Sequence, residues 1–253
     1  MLSSEGYRAD GRRANELRHI TAQLRSTSES YSNGSCIYTQ GNTQLQCTIN
    51  GPYELNTQQK QFKHKSMNVL LDNNSMILDI NITIPPYSTA ERRQAQPRYD
   101  KQSMEYIDIC QQVYTQCIDC KQYPDTRLSI DIHVLHNNGS LLSCIINAIT
   151  VTLLQSCITM NYIVQSVNCT IYNDQVIIDT NSSERQRDNI DVTLVCIPKS
   201  YDVISIHYNN GQIIKLNQLT DIIEYCTHAI DTIYGFTKRT INEYNTKLLQ
   251  GRT

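Results

Sequence analysis

Residues 6–18 of this chain read GYRADGRRANELR, and residues 34–54 read GSCIYTQGNTQLQCTINGPYE. The first stretch places four arginines around Asp10-Gly11, a dipeptide that is typical of tight turns. In the second stretch, strand-like sequence lies on both sides of the turn-forming pair Gly41-Asn42, which predicts a β-hairpin. We expect the hairpin to end at Gly51-Pro52, because a glycine-proline pair interrupts a strand. This part of the chain therefore combines an arginine-rich turn with an antiparallel strand pair.

Further strands and helices follow in the first half of the chain. Strict alternation from Met76 to Ile84 predicts a half-buried strand that stops at Pro85-Pro86, since proline cannot donate a backbone hydrogen bond. A helical period predicts a helix from about residue 103 to residue 121. Its predicted inward face consists of Met104, Ile107, Cys110, Val113, Tyr114 and Cys117. Alternation over residues 130–134 predicts another strand, and an apolar helix begins at about residue 141.

The second half repeats this order of strands followed by a helix. The predicted strands lie near residues 162–172, 175–179, 191–197 and 203–208, and a helix begins at about residue 218. This order predicts the α+β class. No linker rich in glycine, serine or proline separates the halves, so we expect two closely packed lobes. We place the first lobe at residues 1–160 and the second at residues 161–253.

The charge balance and the cysteines limit the possible functions. The chain has 22 basic and 24 acidic side chains, so it lacks the strong positive charge of an obligate nucleic-acid coat. Any contact with nucleic acid must therefore be local. No charged-then-apolar signal peptide precedes Glu5, and most of the ten cysteines lie in apolar patterns, as free thiols do. We expect a reducing compartment, the cytosol or the nucleus.

A membrane span and a zinc site are both rejected. Residues 141–160 are apolar, but their serine, threonine, asparagine and glutamine side chains fit a buried core helix better than lipid. The spacing of Cys117, Cys120, His133 and His136 resembles that of a zinc finger. The histidines, however, lie in a predicted strand, where residues three apart point to opposite faces and cannot close on one ion. We therefore expect no metal and no cofactor.

The stretches at residues 6–18 and 34–54 resemble the start of RNase PH family domains. Within that family, the chain is most similar to eukaryotic RNA-exosome ring subunits, the counterparts of the catalytic archaeal ring subunit. The resemblance spans about residues 5–240. It implies an RNase PH-like fold of two packed lobes, each with a mixed β-sheet followed by helices.

The resemblance also implies where phosphate would bind. Enzymes of the family hold inorganic phosphate with a threonine or serine followed by arginine, after an Asp-Gly-Gly turn. The matching residues here are Asn138, Gly139, Ser140, Leu141 and Leu142. Leu141-Leu142 thus replaces the hydroxyl-arginine pair, and no arginine nearby in the sequence replaces it. Each lost charge-assisted hydrogen bond is worth about 1.5–3 kcal/mol, so we expect a degenerate phosphate site.

Family enzymes further use two acidic residues six positions apart after a strand. In IIDTNSSER, residues 177–185, the first acid is present as Asp179, but the position six later is Arg185. Asp179 is therefore a vestigial catalytic candidate, and the other interpretation is a local Asx turn or cap that ends the strand. Glu184 and Asp188 are near enough in sequence to replace the missing acid.

Two basic loops are candidates for RNA contact. One is KQFKHK at residues 60–65, and the other runs from residue 91 to residue 101. The candidate side chains are Lys63, Lys65, Arg92, Arg93, Arg98 and Lys101. An Arg-Arg pair that grips RNA in the archaeal enzymes matches Lys101-Gln102 here, so one charge is kept. The other interpretation is a solvated loop surface. For Arg8, Arg12 and Arg13, we expect intramolecular pairing or a subunit contact rather than RNA.

The function that the resemblance implies is that of a non-catalytic ring subunit of the eukaryotic RNA exosome. Such a subunit helps to thread single-stranded RNA for 3′ to 5′ processing by an associated hydrolytic exoribonuclease. Its expected partners are other RNase PH-like ring subunits, cap subunits and RNA, in the nucleus, including the nucleolus, and in the cytoplasm. Two alternatives stay open: an active phosphorolytic 3′ to 5′ exoribonuclease, and a purely structural ring subunit without RNA contact.

Overall fold

The described part of the chain forms two β-sheets and three α-helices. The computed structural model describes residues 7–25, 32–55, 76–89, 101–172, 175–184, 190–209 and 216–251. The elements in chain order are β1 (Ile20–Leu24), β2 (Gly34–Gln40), β3 (Thr43–Glu54), β4 (Ile77–Thr83), α1 (Lys101–Cys117), β5 (Thr126–His136), α2 (Leu141–Gln155), β6 (Gln165–Tyr172), β7 (Gln175–Ile178), β8 (Ile190–Cys196), β9 (Val203–Asn209) and α3 (Leu216–Gln250). Strands precede helices in both halves, which confirms the α+β prediction.

The first sheet has the strand order β1-β2-β3-β5-β4. It is mixed, as predicted, because β4 and β5 run parallel while the other neighbouring strands run antiparallel. The alternation predicted over residues 76–84 is confirmed, since Ile80 and Ile82 are buried and Asn81 between them is exposed. Helix α1 packs on β4, and α2 packs on β2 and β3. The first core lies between the sheet and these helices.

The hairpin of β2 and β3 turns at Gly41-Asn42, as predicted, with Gln40 paired to Thr43. The prediction that it ends at Gly51-Pro52 is wrong, because β3 continues to Glu54. The ladder between β3 and β5 shifts register between Asn50 and Tyr53. That irregularity explains why the strand tolerates the proline, since proline is acceptable where the regular ladder is interrupted.

Helix α1 differs from its prediction in its bounds and in its inward face. It ends at Cys117 instead of at residue 121, because Ile118 forms an isolated bridge with Met160 and turns the chain away. Met104, predicted to point inward, is 54% exposed, whereas Tyr106 is buried. The helix is therefore rotated slightly from the orientation that periodicity suggested.

Helix α2 lies between the two lobes and is buried on nearly all sides. It packs against β2 and β3 of the first sheet and against β6 of the second. Its polar side chains bind the backbone of the chain that enters β6: the Asn147 side-chain amide exchanges two 2.8 Å hydrogen bonds with the backbone of Ser166, and the Thr150 hydroxyl donates to the carbonyl oxygen of Val164. These bonds explain the polar residues in an otherwise apolar helix, since buried polar groups need partners.

The second sheet has the strand order β7-β6-β8-β9, and every neighbouring pair is antiparallel. This sheet is therefore antiparallel throughout, whereas a mixed sheet was predicted for the second lobe. Helix α3 covers the sheet with Ile222, Cys226, Ala229, Ile230 and Ile233, which pack into a second core. The two-lobe architecture is confirmed.

All ten cysteines are free thiols, and eight of them are buried. Burial raises the pKa of Cys47 and Cys144 to about 12, so these two thiols stay protonated at neutral pH. None of the helices among the described residues combines the length and the apolar character that crossing a membrane requires.

Candidate functional site

The N-terminal arginine-rich segment, residues 7–18, lies against the second lobe. Arg8 is buried, and its guanidinium donates to the Glu184 carboxylate at 2.6 and 2.8 Å and to the carbonyl oxygen of Ile178 at 2.7 Å. Arg12 pairs with Asp10, with 2.7 Å between Nε and the carboxylate oxygen. The prediction of intramolecular pairing is confirmed for these two arginines, while Arg13 is exposed.

Arg18 and Asp179 form a buried ion pair where the N-terminal segment meets both lobes. The Arg18 Nη2 and Nε atoms donate to the two carboxylate oxygens of Asp179 at 2.6 and 3.0 Å, and the Arg18 backbone N–H donates at 2.9 Å. Asp179 is fully buried and Arg18 is 7% exposed. In this bidentate arrangement, both carboxylate oxygens already accept hydrogen bonds from the same chain.

The pair keeps the carboxyl of Asp179 ionised despite its burial. Burial alone would raise the pKa of Asp179, but the hydrogen bonds and the charge of Arg18 hold that pKa below its ordinary value of 3.8. Glu184 behaves in the same way: burial raises its pKa, but the hydrogen bonds from Arg8 and from the backbone of Asn181, together with the charges of Arg8 and Arg12, hold that pKa below its ordinary value. Both acids are therefore anions that are compensated within the fold.

The lowered pKa of Asp179 predicts a specific pH dependence of stability. A carboxyl with a lowered folded-state pKa contributes stability above its unfolded-state value of 3.8, and that contribution is lost as the pH falls through the folded-state pKa. The free energy of unfolding should therefore differ most between the wild type and Asp179→Asn at neutral pH. The difference should shrink in the acid range, where the wild-type carboxyl also becomes neutral. Urea unfolding over a pH series measures it, and a difference independent of pH would contradict the ion pair.

The five residues matched to the phosphate site lie at the start of α2. Leu141 and Leu142 are each 4% exposed and belong to the first core, so their side chains point away from solvent. The Ser140 hydroxyl donates to the carbonyl oxygen of Thr180 at 3.1 Å. The carbonyl oxygens of Asn138 and Gly139 accept hydrogen bonds from Arg18 at 3.0 and 3.3 Å. The polar groups that remain here are used to join the two lobes.

Two glycines allow Arg18 and the loop after β7 to pack this closely. Gly139 has a φ of +95°, and a Cβ atom there would lie 2.5 Å from the carbonyl oxygen of Thr180. Gly41 has a φ of +59°, and a Cβ atom there would lie 2.5 Å from Cδ of Arg18. Larger residues at these positions would push apart the segments that form the ion pair.

Sequence reasoning missed the arginine at this site. Arg18 contacts the backbone of residues 138 and 139 although 120 residues separate it from Asn138. The sequence suggests Asp179 as a vestigial catalytic candidate or as a local turn or cap, whereas in the structure its carboxylate binds an arginine 161 residues away. The sequence contained one indication of the pair. Arg18 follows the apolar Leu17, which packs against the second core, so an arginine at this point was a candidate for burial with an acidic partner.

Of the side chains predicted to contact RNA, Lys101 is exposed and is the first residue of α1. The others lie outside the described residues, namely Lys63, Lys65, Arg92, Arg93 and Arg98. The second candidate acid after Asp179, Asp188, and the matched position Arg185 also lie outside them. Glu184 is described, and Arg8 occupies its carboxylate.

The residues with zinc-finger spacing do not gather. Cys117 is buried in α1, where its thiol donates to the carbonyl oxygen of Val113, and His133 is exposed on the open face of β5. Within the part of the chain that the structure describes, no three or more histidine, cysteine, aspartate or glutamate side chains come together as metal ligands would.

The polar groups of this site make hydrogen bonds within the chain. A catalytic acid must reach its substrate through water or directly, and a phosphate cradle needs donors that are free to turn toward an anion. Here the Asp179 carboxylate and the Ser140 hydroxyl both have intramolecular partners. The site joins the N-terminal segment, the start of α2 and the end of β7.

The model of the 3′ exoribonuclease family, domain 1, of RNase PH type, matches residues 16–159. The chain is 29% identical to the exosome complex component RRP41 homolog of Arabidopsis thaliana, over 78% of this chain and 77% of that protein. It is 28% identical to the exosome complex component SKI6 of Saccharomyces cerevisiae, over 79% of this chain and 76% of that protein. Both relatives are thus similar along most of their length.

Solved structures share the fold. The crystal structure of rice (Oryza sativa) Rrp46 aligns with a TM-score of 0.75 and 23% identity, over 92% of this chain and all of that one. The Archaeoglobus fulgidus exosome with RNA bound to the active site aligns with a TM-score of 0.71 and 15% identity, over 91% and 92% of the two chains. With the matched family model spanning more than half of its residues, this chain belongs to the 3′ exoribonuclease family of RNase PH-like proteins.

Proposed function

We propose that this protein is a non-catalytic ring subunit of a eukaryotic RNA exosome, which helps to thread single-stranded RNA toward an associated hydrolytic exoribonuclease. The observation that carries the proposal is the state of Asp179, the one family acid that the sequence retains. It is fully buried, and Arg18 occupies both of its carboxylate oxygens. The relatives named exosome complex components support the assignment to the ring.

Phosphorolysis would require two things that the described residues of this site do not offer. The attacking phosphate would need an arginine or lysine that is not already neutralised, and Arg18 is paired with Asp179. The leaving group would need a carboxyl that can exchange a proton or bind a metal, and Asp179 is held as an inaccessible anion. The buried side chains of the leucines at residues 141 and 142 add no donor.

Contact with RNA is proposed at the basic loops that precede α1. Lys101 is exposed at the first residue of α1, where the helix dipole makes a cation unfavourable. Its position is thus not explained by helix stability, which supports a role in binding an anion. Three or four phosphate contacts from one subunit would give a salt slope of only about −2 to −3, so the assembled ring would supply the rest through avidity.

The proposed partners are other RNase PH-like ring subunits, cap subunits and the hydrolytic nuclease, in the nucleus, including the nucleolus, and in the cytoplasm. Support for this comes from the exosome names of the relatives and from the reduced state of all ten cysteines. Affinity purification of the tagged protein from both compartments, followed by mass spectrometry, tests it. Recovery without any RNase PH-like partner would contradict ring membership.

The proposal predicts that the protein does not catalyse phosphorolysis. Purified chain, alone and with its copurified ring partners, should release no nucleoside diphosphate from labelled single-stranded RNA in the presence of inorganic phosphate. The reason is the occupied Asp179 carboxylate and the missing arginine. Thin-layer chromatography of the products provides the measurement, with an active RNase PH enzyme as the positive control. Phosphate-dependent release that Asp179→Asn abolishes would establish the alternative, an active enzyme.

Charge reversal should weaken RNA binding. We expect Arg98→Glu combined with Lys101→Glu to reduce the binding of single-stranded RNA by the assembled ring and to lower its salt slope by about 1.4, or 0.7 for each lost phosphate contact. The matched control is Lys238→Glu, an exposed lysine on α3. Filter binding over a salt series measures the slope. An unchanged slope would favour a structural subunit without RNA contact.

A further inference from the structure

A groove separates the N-terminal segment from one face of α3. Its volume is about 690 Å³, and it is lined by residues 15–20 and by a set of α3 residues three or four positions apart. That set consists of Tyr225, His228, Ala229, Thr232, Phe236 and Arg239. Residues with this spacing form one stripe on a helix, and the stripe is about 21 Å long at 1.5 Å per residue.

The floor of the groove is apolar. Leu17 and Ile20 line it from the N-terminal segment, and both are only half-buried against the second core. Ala229 and Phe236 line it from α3, and Tyr225 at one end is 47% exposed. A concave apolar floor that is open to solvent matches the way in which proteins accommodate the apolar side chains of a partner.

The rim of the groove supplies hydrogen-bond donors. Arg239 is exposed, its Nε donates to the carbonyl oxygen of Gly235, and its terminal nitrogens have no acceptor among the described residues. His19 and His228 are exposed on the lining. The one lining acid is Glu16, whose carboxylate accepts from the backbone N–H of Arg13. Arg239 is therefore a lining cation without a carboxylate partner among the described residues, and a carboxylate of a ligand would complement it.

We propose that this groove binds an extended segment of a partner protein, with apolar side chains on the floor and a carboxylate at Arg239. At 3.3 Å per residue, a stripe of about 21 Å accommodates about six residues of extended chain. This site is separate from the Arg18–Asp179 pair, because Arg18 is only 7% exposed and its guanidinium faces Asp179. The inference goes beyond ring membership and does not depend on it.

Nucleic acid is the less suitable occupant. Binding of single strands relies on several cations that each neutralise a phosphate, and the groove holds one exposed arginine that lacks a carboxylate partner in the described structure. An apolar floor about six residues long gains more from aliphatic or aromatic side chains than from a phosphodiester backbone.

A selection experiment with two matched pairs of variants tests the proposal. A phage-displayed library of random short peptides is panned on the full-length chain, and the enriched peptides are measured by fluorescence polarisation. We expect them to combine an acidic residue with apolar ones. Thr232→Arg fills the groove, while Thr246→Arg places the same change on an exposed α3 residue outside it, and both threonines make the same bond to the carbonyl oxygen four residues earlier.

The expected result is a loss of at least about tenfold in peptide affinity for Thr232→Arg and no loss for Thr246→Arg. Arg239→Glu should weaken binding about two- to fivefold, and Lys238→Glu should not. Circular dichroism verifies folding, and Arg239→Glu decides the outcome if Thr232→Arg is unfolded. Peptides that bind all variants equally, or that lack acids, would overturn the proposal. The proposal would also be overturned if Thr232→Arg, and none of the other variants, removed the binding of single-stranded RNA or the self-association of the chain. Either result would assign the groove to another occupant.

Discussion

Arg18→Ala is expected to lower the free energy of unfolding by about 3–5 kcal/mol. The substitution leaves the Asp179 carboxylate fully buried without its cation, and it also removes the donors to the carbonyl oxygens of Asn138 and Gly139. Removing one partner of a buried ion pair lowers the free energy of unfolding far more than replacing both partners by apolar residues does, because the charge that remains is buried and not solvated. Urea unfolding at neutral pH, followed by circular dichroism, measures the change.

The control for this prediction is Arg13→Ala. Arg13 lies in the same arginine-rich segment, but it is exposed, and it bonds to Glu16 through its backbone N–H and carbonyl groups. Its replacement should change the free energy of unfolding by no more than about 0.5 kcal/mol. Equal effects for the two arginines would mean that the ion pair does not join the lobes in solution.

The second large effect is expected for Gly139→Ala, with a loss of about 2–5 kcal/mol. The left-handed backbone at a φ of +95° costs about 1–2 kcal/mol for a residue with a Cβ atom. Overpacking adds about 1–3 kcal/mol, because the Cβ atom would lie 2.5 Å from the carbonyl oxygen of Thr180 and 2.9 Å from backbone atoms of Asn181 and Ser182. Thermal and urea unfolding both report the loss.

Gly11→Ala separates the two causes of that loss. Gly11 has a similar φ of +83°, but a Cβ atom there meets no atom within 4 Å. It should therefore show only the conformational cost, about 1 kcal/mol. If Gly139→Ala cost no more than Gly11→Ala, the start of α2 would not be packed against the loop after β7. The effects of Arg18→Ala and Gly139→Ala should not add, because the two residues share a hydrogen bond.

Both predictions concern the same small region, which the sequence resemblance matches to the phosphate site of the family. In this protein the region contains a buried ion pair, a hydroxyl bonded to a neighbouring backbone, and two buried leucines. Its residues therefore contribute to stability through contacts between the lobes.

Much of the secondary structure was predictable because it depends on short-range periodicity. The strand with Ile80 and Ile82, the turn at Gly41-Asn42 and the start of α2 at Leu141 all agree with the sequence pattern. The inward face of α1 was only partly predictable, since Met104 and Tyr106 are both apolar enough to occupy it. Packing of the helix on β4 selected the aromatic residue, which buries more surface.

The degenerate phosphate site stays a prediction from the sequence, where the resemblance matches the leucines at residues 141 and 142 to a hydroxyl and an arginine of the family. The sequence did not show which partners the remaining polar groups bind. Asp179 and Arg18 are 161 residues apart, and nothing local links them. Likewise, the groove along α3 exists only because residues 15–20 lie beside that helix.

The amino-acid pattern thus determined most of the elements and their order, because these depend on residues that are close together in the chain. The docking of the two lobes determined which charges meet. A buried carboxylate must find a cation wherever the fold brings one, and here the cation came from the N-terminal segment. That partner, Arg18, makes Asp179 a structural residue.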